Sequence, residues 1–281
     1  MNLTEVFQPG SNAVITGGAN GIGLAAAKEY ARRGMRVCIA DRDETQLGVA
    51  LEEINSIQDD LPHLGIVVDV SNFDQVASFR DQIVSRTDHI AVVMNNAGMS
   101  IRTNAFTDID AWQKLLATNL WGVINGVQAF TSTLIDQGQP AMIINTGSKQ
   151  GITNPPGNPA YNVTKAGIRS LTESLAHELR NIENCAVTAH LLVPGFTYTG
   201  LIRRFIPEQP SAAWSPEQVV EFMVEKLSQD AFYILCPDND VSAAMDQKRI
   251  EWHTDDLIEG RSALSRWDPA YSAQFDTFMK D

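Results

Sequence analysis

Tyr161 and Lys165 stand four residues apart in the run NPPGNPAYNVTKAGIRSLTESLAHELR. On a helix, positions i and i+4 share a face, so the phenol and the ammonium would look the same way. A nearby ammonium favours the phenolate, which lowers the tyrosine pKa and equips it to take or give a proton near neutrality. Taken alone, YNVTK reads more readily as a surface tyrosine above a solvated lysine. A proton-transfer pair needs support from the rest of the chain.

That support begins with TGGANGIG, residues 16 to 23, where an apolar strand gives way to a helical pattern. Gly17, Gly18, Gly21 and Gly23 allow positive φ and let backbone approach a pyrophosphate without a Cβ in the way. The helix that follows offers unpaired N–H groups and a partial positive charge to phosphate. Asp41 ends the next strand, 18 residues after Gly23. A carboxylate there can accept hydrogen bonds from the adenosine ribose diol and repels a 2′-phosphate, which favours NAD over NADP. Arg42 points the other way, since it could stack on adenine or reach a phosphate.

The elements that must position these residues alternate. Strands are expected at 12–17, 36–41, 65–70, 90–96, 141–148, 186–194 and 232–237, with helices at 21–34, 44–56, 73–86, 108–136, 159–182 and 216–228. Ser215 and Pro216 mark the N-cap and first turn of the last of these. Several strands are continuously apolar, as in a parallel sheet covered on both faces. The fold class is therefore α/β, one Rossmann-like doubly wound parallel sheet with helices on both faces.

Composition limits the partners. The 281 residues are 44% apolar and 20% charged, with a net charge of −13, so nucleic acid and anionic membranes are not expected partners. Cys38, Cys185 and Cys236 are odd in number and scattered, which fits free thiols in a reducing cytoplasm. The histidines at 63, 89, 177, 190 and 253 show no ligand spacing, and no metal site is expected. The chain opens without a basic-then-apolar segment and holds no run near 18 apolar residues, so neither secretion nor a membrane span is expected.

Together, Thr16-Gly17-x-x-x-Gly21-x-Gly23, Asn95-Asn96-Ala97-Gly98, Ser148, the Tyr161 and Lys165 pair, and Pro194-Gly195 resemble the short-chain dehydrogenase/reductase family, in its order and spacing, over roughly residues 8 to 236. The resemblance implies that Asn119, Ser148, Tyr161 and Lys165 are catalytic. Ser148, 13 residues before Tyr161, would orient the substrate oxygen and stabilise developing negative charge, while Tyr161 moves the proton. Lys165 would also hold the nicotinamide ribose, and Asn119 would anchor a proton-relay water.

For the cofactor, the resemblance implies contacts from Gly17, Asn20, Gly21, Ile22 and Gly23, from Asp41 and Arg42, and from Asp69 and Val70 at the adenine. Asn96, Ala97 and Gly98 would lie along it, with Pro194, Gly195, Thr197 and Thr199 at the carboxamide end. Ser148, Asn158, Tyr161, Phe196 and Tyr198 would face substrate. The lid GFTYTGLIRRFIPEQPSAAW (195–214), with Arg203 and Arg204 open to an anionic group or to water, suggests a hydrophobic or aromatic substrate. The expected activity is hydride transfer between NAD(H) and a hydrophobic secondary alcohol or ketone. An NADP-dependent carbonyl reductase and a non-catalytic NAD(H) sensor are the alternatives. A homodimer or homotetramer is implied as well.

The pattern departs after residue 236. Residues 1–236 read as the NAD(P)-binding domain with its own substrate pocket, and 237–281 as an extension packed on it or on a neighbouring subunit. Val241, Met245, Arg249 and Trp252 fall at helical spacing, with Asp238 or Asp240 as cap. Beyond them Leu264, Trp267, Tyr271, Phe275 and Phe278 make the tail apolar enough to dock.

Overall fold

The computed structural model describes residues 3–87, 89–203 and 205–280. In chain order the elements are α1 (Leu3–Val6), β1 (Asn12–Thr16), α2 (Gly21–Arg32), β2 (Arg36–Asp41), α3 (Glu44–Asn55), β3 (Leu64–Val67), α4 (Phe73–Val84) and β4 (Ile90–Asn95). The second half has α5 (Ile109–Leu115), a π-helical turn (Leu116–Trp121), α6 (Gly122–Asp136), β5 (Ala141–Thr146), α7 (Gln150–Thr153), α8 (Pro159–Arg180), β6 (Val187–Val193), α9 (Gly200–Arg203), α10 (Pro216–Ser228) and β7 (Tyr233–Leu235). Residues 237–280 add α11 (Ala243–Glu259), 3-10 turns at Ser265–Trp267 and Pro269–Tyr271, and α12 (Ser272–Phe278).

All seven expected strands form and pair in parallel, in the order β3-β2-β1-β4-β5-β6-β7. Alternate side chains explain why the strands read as unbroken apolar runs. Ile15, Ile39 and Met94 join α2, α3 and α10 on one face, through Ala26, Ile54 and Met223. Val14, Cys38 and Val93 join α4, α6 and α8 on the other, through Phe79, Phe130 and Ile168. Both faces are buried, so neither needs polar alternation.

Two local expectations change. The helix expected over 108–136 begins at Ile109, behind a left-handed N-cap Asp108 (φ 62°), and widens into the π turn between α5 and α6. The cap of α11 is neither Asp238 nor Asp240 but Ser242, whose side chain accepts from Met245 N–H. Asp238 is spent on its own turn, with Oδ1 accepting from Asp240 and Val241 N–H.

Candidate active site

Strand order reverses between β1 and β4, so the loops leaving their C-terminal ends part and open a crevice. Gly17 and Gly21 have φ of 64° and 53°. A Cβ on Gly17 would lie 2.7 Å from Ala97 Cα, so the two loops meet backbone to backbone. Thr16 Oγ1 accepts from Asn96 N–H (3.0 Å) and Ala97 N–H (3.2 Å), and Asn96 Nδ2 donates to Gly17 O (3.2 Å). Asn20 caps α2 without a side-chain bond, leaving first-turn N–H groups unspent above the buried Ile22 and Gly23. Thr199 lies over this turn: a Cβ on Gly21 would be 3.1 Å from its Cβ.

Asp41 is half-buried at the end of β2. Its Oδ2 accepts from Ala19 N–H (3.2 Å) and its Oδ1 from Asp43 N–H (3.1 Å), which ties the carboxylate to the glycine turn. Arg42 is exposed beside it. Asp69 is exposed and accepts from Ser71, whereas Val70 is buried and its carbonyl accepts from Asn125 Nδ2 at 2.8 Å. Gly98 comes near Asn119 Oδ1. Unspent helix N–H groups, left-handed glycines at close backbone approach and a carboxylate past β2 fit a dinucleotide.

Ser148 follows β5, and Tyr161 sits in the first turn of α8, opened by Pro159. The Ser148 hydroxyl, which accepts from Gln150 N–H at 3.2 Å, lies close enough to the Tyr161 phenol to favour its ionised form. Lys165 is buried one turn on, with Nζ 5.5 Å from the Tyr161 ring centroid and donating to Thr146 O at 2.8 Å. The shared face of Tyr161 and Lys165 is thus realised. The lowered phenol is not, because burial dominates both groups. It pushes Tyr161 up to about 12, with the Ser148 hydroxyl working against it, and pulls Lys165 down to about 8.

Asn119 is fully buried in the π turn, where Oδ1 accepts from Met99 N–H (2.8 Å) and Nδ2 donates to Met99 O (2.9 Å). Its side chain thereby pins the segment after Gly98 to the helix that packs on α8. π turns of this kind occur frequently at functional sites.

On the substrate side, Asn158 caps α8 while its Oδ1 accepts from Thr103 Oγ1 at 2.8 Å. Past β6, Pro194 is buried, and Thr197 is buried and bridges to Trp214. Phe196 is half-buried, with its N–H donated to Asp238 Oδ2 at 3.2 Å. Tyr198, expected on the substrate side, is engaged within the lid. Its ring is buried under the Arg203 guanidinium and its hydroxyl donates to Pro207 O, so it braces the lid. Arg204 lies outside the described residues. Asn125 and Lys149 were not singled out in the sequence. A polar residue on the apolar run GVINGVQAF was the available signal for Asn125, and nothing local marked Lys149.

Architecture and site together define a doubly wound α/β protein of Rossmann type with a Ser–Tyr–Lys cluster at the mouth of its crevice. The family model for short chain dehydrogenase matches residues 11–210, and the chain belongs to that family of oxidoreductases. It is 30% identical to the 3beta-hydroxysteroid dehydrogenase 2 of Eggerthella lenta over 194 residues, covering 68% of this chain and 73% of that one. The crystal structure of a Burkholderia phymatum short chain dehydrogenase/reductase in complex with NAD superposes with a TM-score of 0.81 at 28% identity, covering 90% of this chain and 96% of that one. A metagenomic short-chain oxidoreductase in complex with NADP reaches a TM-score of 0.68 at 26% identity, over 82% and 98% of the two chains. Among the described residues no helix is long and apolar enough to cross a membrane.

Proposed function

We propose that the chain is a nicotinamide-dinucleotide-dependent alcohol dehydrogenase or ketone reductase, NAD-preferring, acting on a hydrophobic or aromatic secondary alcohol. The convergence of Ser148, Tyr161 and Lys165 at one mouth carries this reading. Gly17, Asn20, Gly21, Ile22 and Gly23 would hold the pyrophosphate, Asp41 the adenosine ribose, and Asp69 and Val70 the adenine. Asn96, Ala97 and Gly98 would border the cofactor, and Pro194, Gly195, Thr197 and Thr199 its carboxamide end. Bound there, the dinucleotide supplies the hydride acceptor for oxidation or the hydride donor for reduction.

The chain's own residues manage the proton. In reduction, Ser148 holds the carbonyl oxygen and Tyr161, protonated at neutral pH with its phenol near 12, gives its proton to that oxygen as the carbon gains hydride. In oxidation the flow reverses: the carbinol O–H proton passes to a Tyr161 phenolate, which Ser148 stabilises by donating to it. A protonated Lys165 beside the ring also favours the phenolate. A water held beside the π turn at Asn119 would exchange that proton with solvent.

Hydrophobic substrates, including 3-hydroxysteroids like those of the Eggerthella relative, are the first to test by nicotinamide absorbance. Tyr161→Phe should lower turnover by about 10²- to 10⁴-fold with dinucleotide affinity unchanged. A variant keeping most of the wild-type rate would refute the proton-transfer role. Binding of dinucleotide with no hydride exchange on any carbonyl would favour a sensor instead. We further infer a homo-oligomer from the exposed Trp121 in the π turn and Val163 on α8, and a reducing cytoplasmic location from the free Cys38, Cys185 and Cys236.

A further inference from the structure

Lys149 directly follows Ser148, and it is where residues beyond 236 reach the site. Its Nζ lies 2.6 Å from Asp246 Oδ2 and 3.4 Å from Asp238 Oδ2, with side-chain exposures of 18% for Lys149 and 6% for each aspartate. The same Asp238 oxygen accepts the Phe196 N–H. Three segments therefore converge on one buried charge cluster: the turn after β5, the start of the lid, and the extension. The fit is close at Gly195, where a Cβ would lie 2.9 Å from Pro237 O, 2.8 Å from Asp238 Oδ2 and 3.0 Å from Lys149 Nζ.

The extension is braced to hold its side of this cluster. Asp246 rides on α11, which packs against α7 just past Lys149. Further along α11, Trp252 is buried and its Nε1 donates to Ser265 Oγ at 2.8 Å. The Arg261 guanidinium stacks 3.9 Å from the Trp252 ring centroid and donates to Trp252 O, while Phe275 and Phe278 close on the same ring at 5.3 and 5.2 Å. A helix anchored this way presents Asp246 at a set place. An ion pair this buried is costly to break from one side, so Lys149 is held where the two carboxylates are.

We propose that Asp238 and Asp246 are positioning residues: through Lys149 they set Ser148, and through the Phe196 N–H they set the lid, so the extension is a working wall of the active site. This rests on the reading of Ser148 as the residue that holds the substrate oxygen. A merely structural role would make 237–281 a staple whose loss softens the whole fold. Positioning instead predicts loss confined to the site.

The test compares wild type, Asp246→Asn, Asp246→Glu and Asp238→Asn in the full chain, using hydride-transfer kinetics, dinucleotide binding and amide hydrogen exchange. Asp246→Asn should lower kcat at least about tenfold while the NAD dissociation constant stays within about twofold. Exchange should quicken in Gly147–Thr153 and Phe196–Trp214 but not in α2. Asp246→Glu, which keeps the charge, should recover most of the rate. Should Asp246→Asn fail to fold, Asp238→Asn gives the same readout, because it disturbs both Lys149 and Phe196. Unchanged kinetics and exchange in both aspartate-to-asparagine variants would overturn the proposal, as would exchange rising equally across the sheet with a matching loss of NAD affinity. A wild-type chain inactive on every carbonyl would sink the enzymatic reading alone, and exchange at the two segments would still decide whether the clamp exists.

Discussion

Replacing Asp41 with asparagine should turn dinucleotide preference towards NADP. Asp41 holds the end of β2 with both oxygens engaged, one by Ala19 N–H and the other by Asp43 N–H. Asparagine is nearly isosteric and keeps an acceptor for one of these; its amide nitrogen cannot accept from the other N–H, so the variant loses one turn hydrogen bond together with the charge. A ribose 2′-oxygen within hydrogen-bonding reach of Asp41 puts a 2′-phosphate about 4 Å from the carboxylate. Two unit charges at that separation repel by about 1 kcal/mol in water and about 4 kcal/mol at an effective dielectric of 20, and the phosphate carries nearly two charges. The half-buried, solvent-facing setting of Asp41 argues for the lower end, about 2 kcal/mol, or roughly 30-fold tighter NADP binding in the variant. NAD should weaken by about 1 kcal/mol as a charge-assisted bond becomes a neutral one, roughly fivefold. The NADP-to-NAD affinity ratio should thus rise about 150-fold and fall back as salt screens the wild-type repulsion. Dissociation constants for both dinucleotides, measured calorimetrically at two ionic strengths, check this. A ratio that moves less than twofold, or a wild-type chain that already binds NADP more tightly, would show that Arg42 and not Asp41 governs the choice.

Two further outcomes follow from buried geometry. Gly126→Ala should destabilise by about 3 kcal/mol and lower Tm by roughly 6 to 12 °C, because its Cβ would fall 1.9 Å from Asn95 Oδ1 in the buried Asn95–Asn145–Thr172 chain of hydrogen bonds; a Tm within 2 °C of wild type refutes it. Lys165→Met should abolish turnover yet unfold later than wild type near pH 7, since carrying Lys165 at about 8 instead of 10.5 costs the fold about 3 kcal/mol, partly offset by the lost bond to Thr146 O. Between pH 8 and 10.5 the unfolded chain binds the extra proton, so wild-type stability rises with pH and the gap should close. Urea unfolding of both proteins from pH 7 to 10 would show it, and a gap that stays constant would mean that burial is not what depresses Lys165.

What could be read in advance divides by the range of the interaction. The glycine turn was legible because positive φ at Gly17 and Gly21 is a demand made by the backbone where it stands, and the strands because burial on both faces needs apolar residues throughout. The i, i+4 spacing of Tyr161 and Lys165 likewise fixes a shared helix face without reference to anything else. Their pKa values do not belong to that spacing. They depend on how much chain covers the two groups, and here the covering outweighs the expected attraction and carries the phenol up and the ammonium down. The α11 cap shows both ranges at small scale: of the two expected candidates, Asp238 spends one oxygen on its own turn at Asp240 and Val241 and the other on Phe196 and Lys149, which come from elsewhere in the chain. Lys149 is the extreme case. Next to a serine already singled out, it looks like any surface lysine until α11 brings Asp246 to it. The residues that perform a reaction can therefore be recognised from local pattern, whereas those that hold them in place are recruited from distant sequence and carry no local mark.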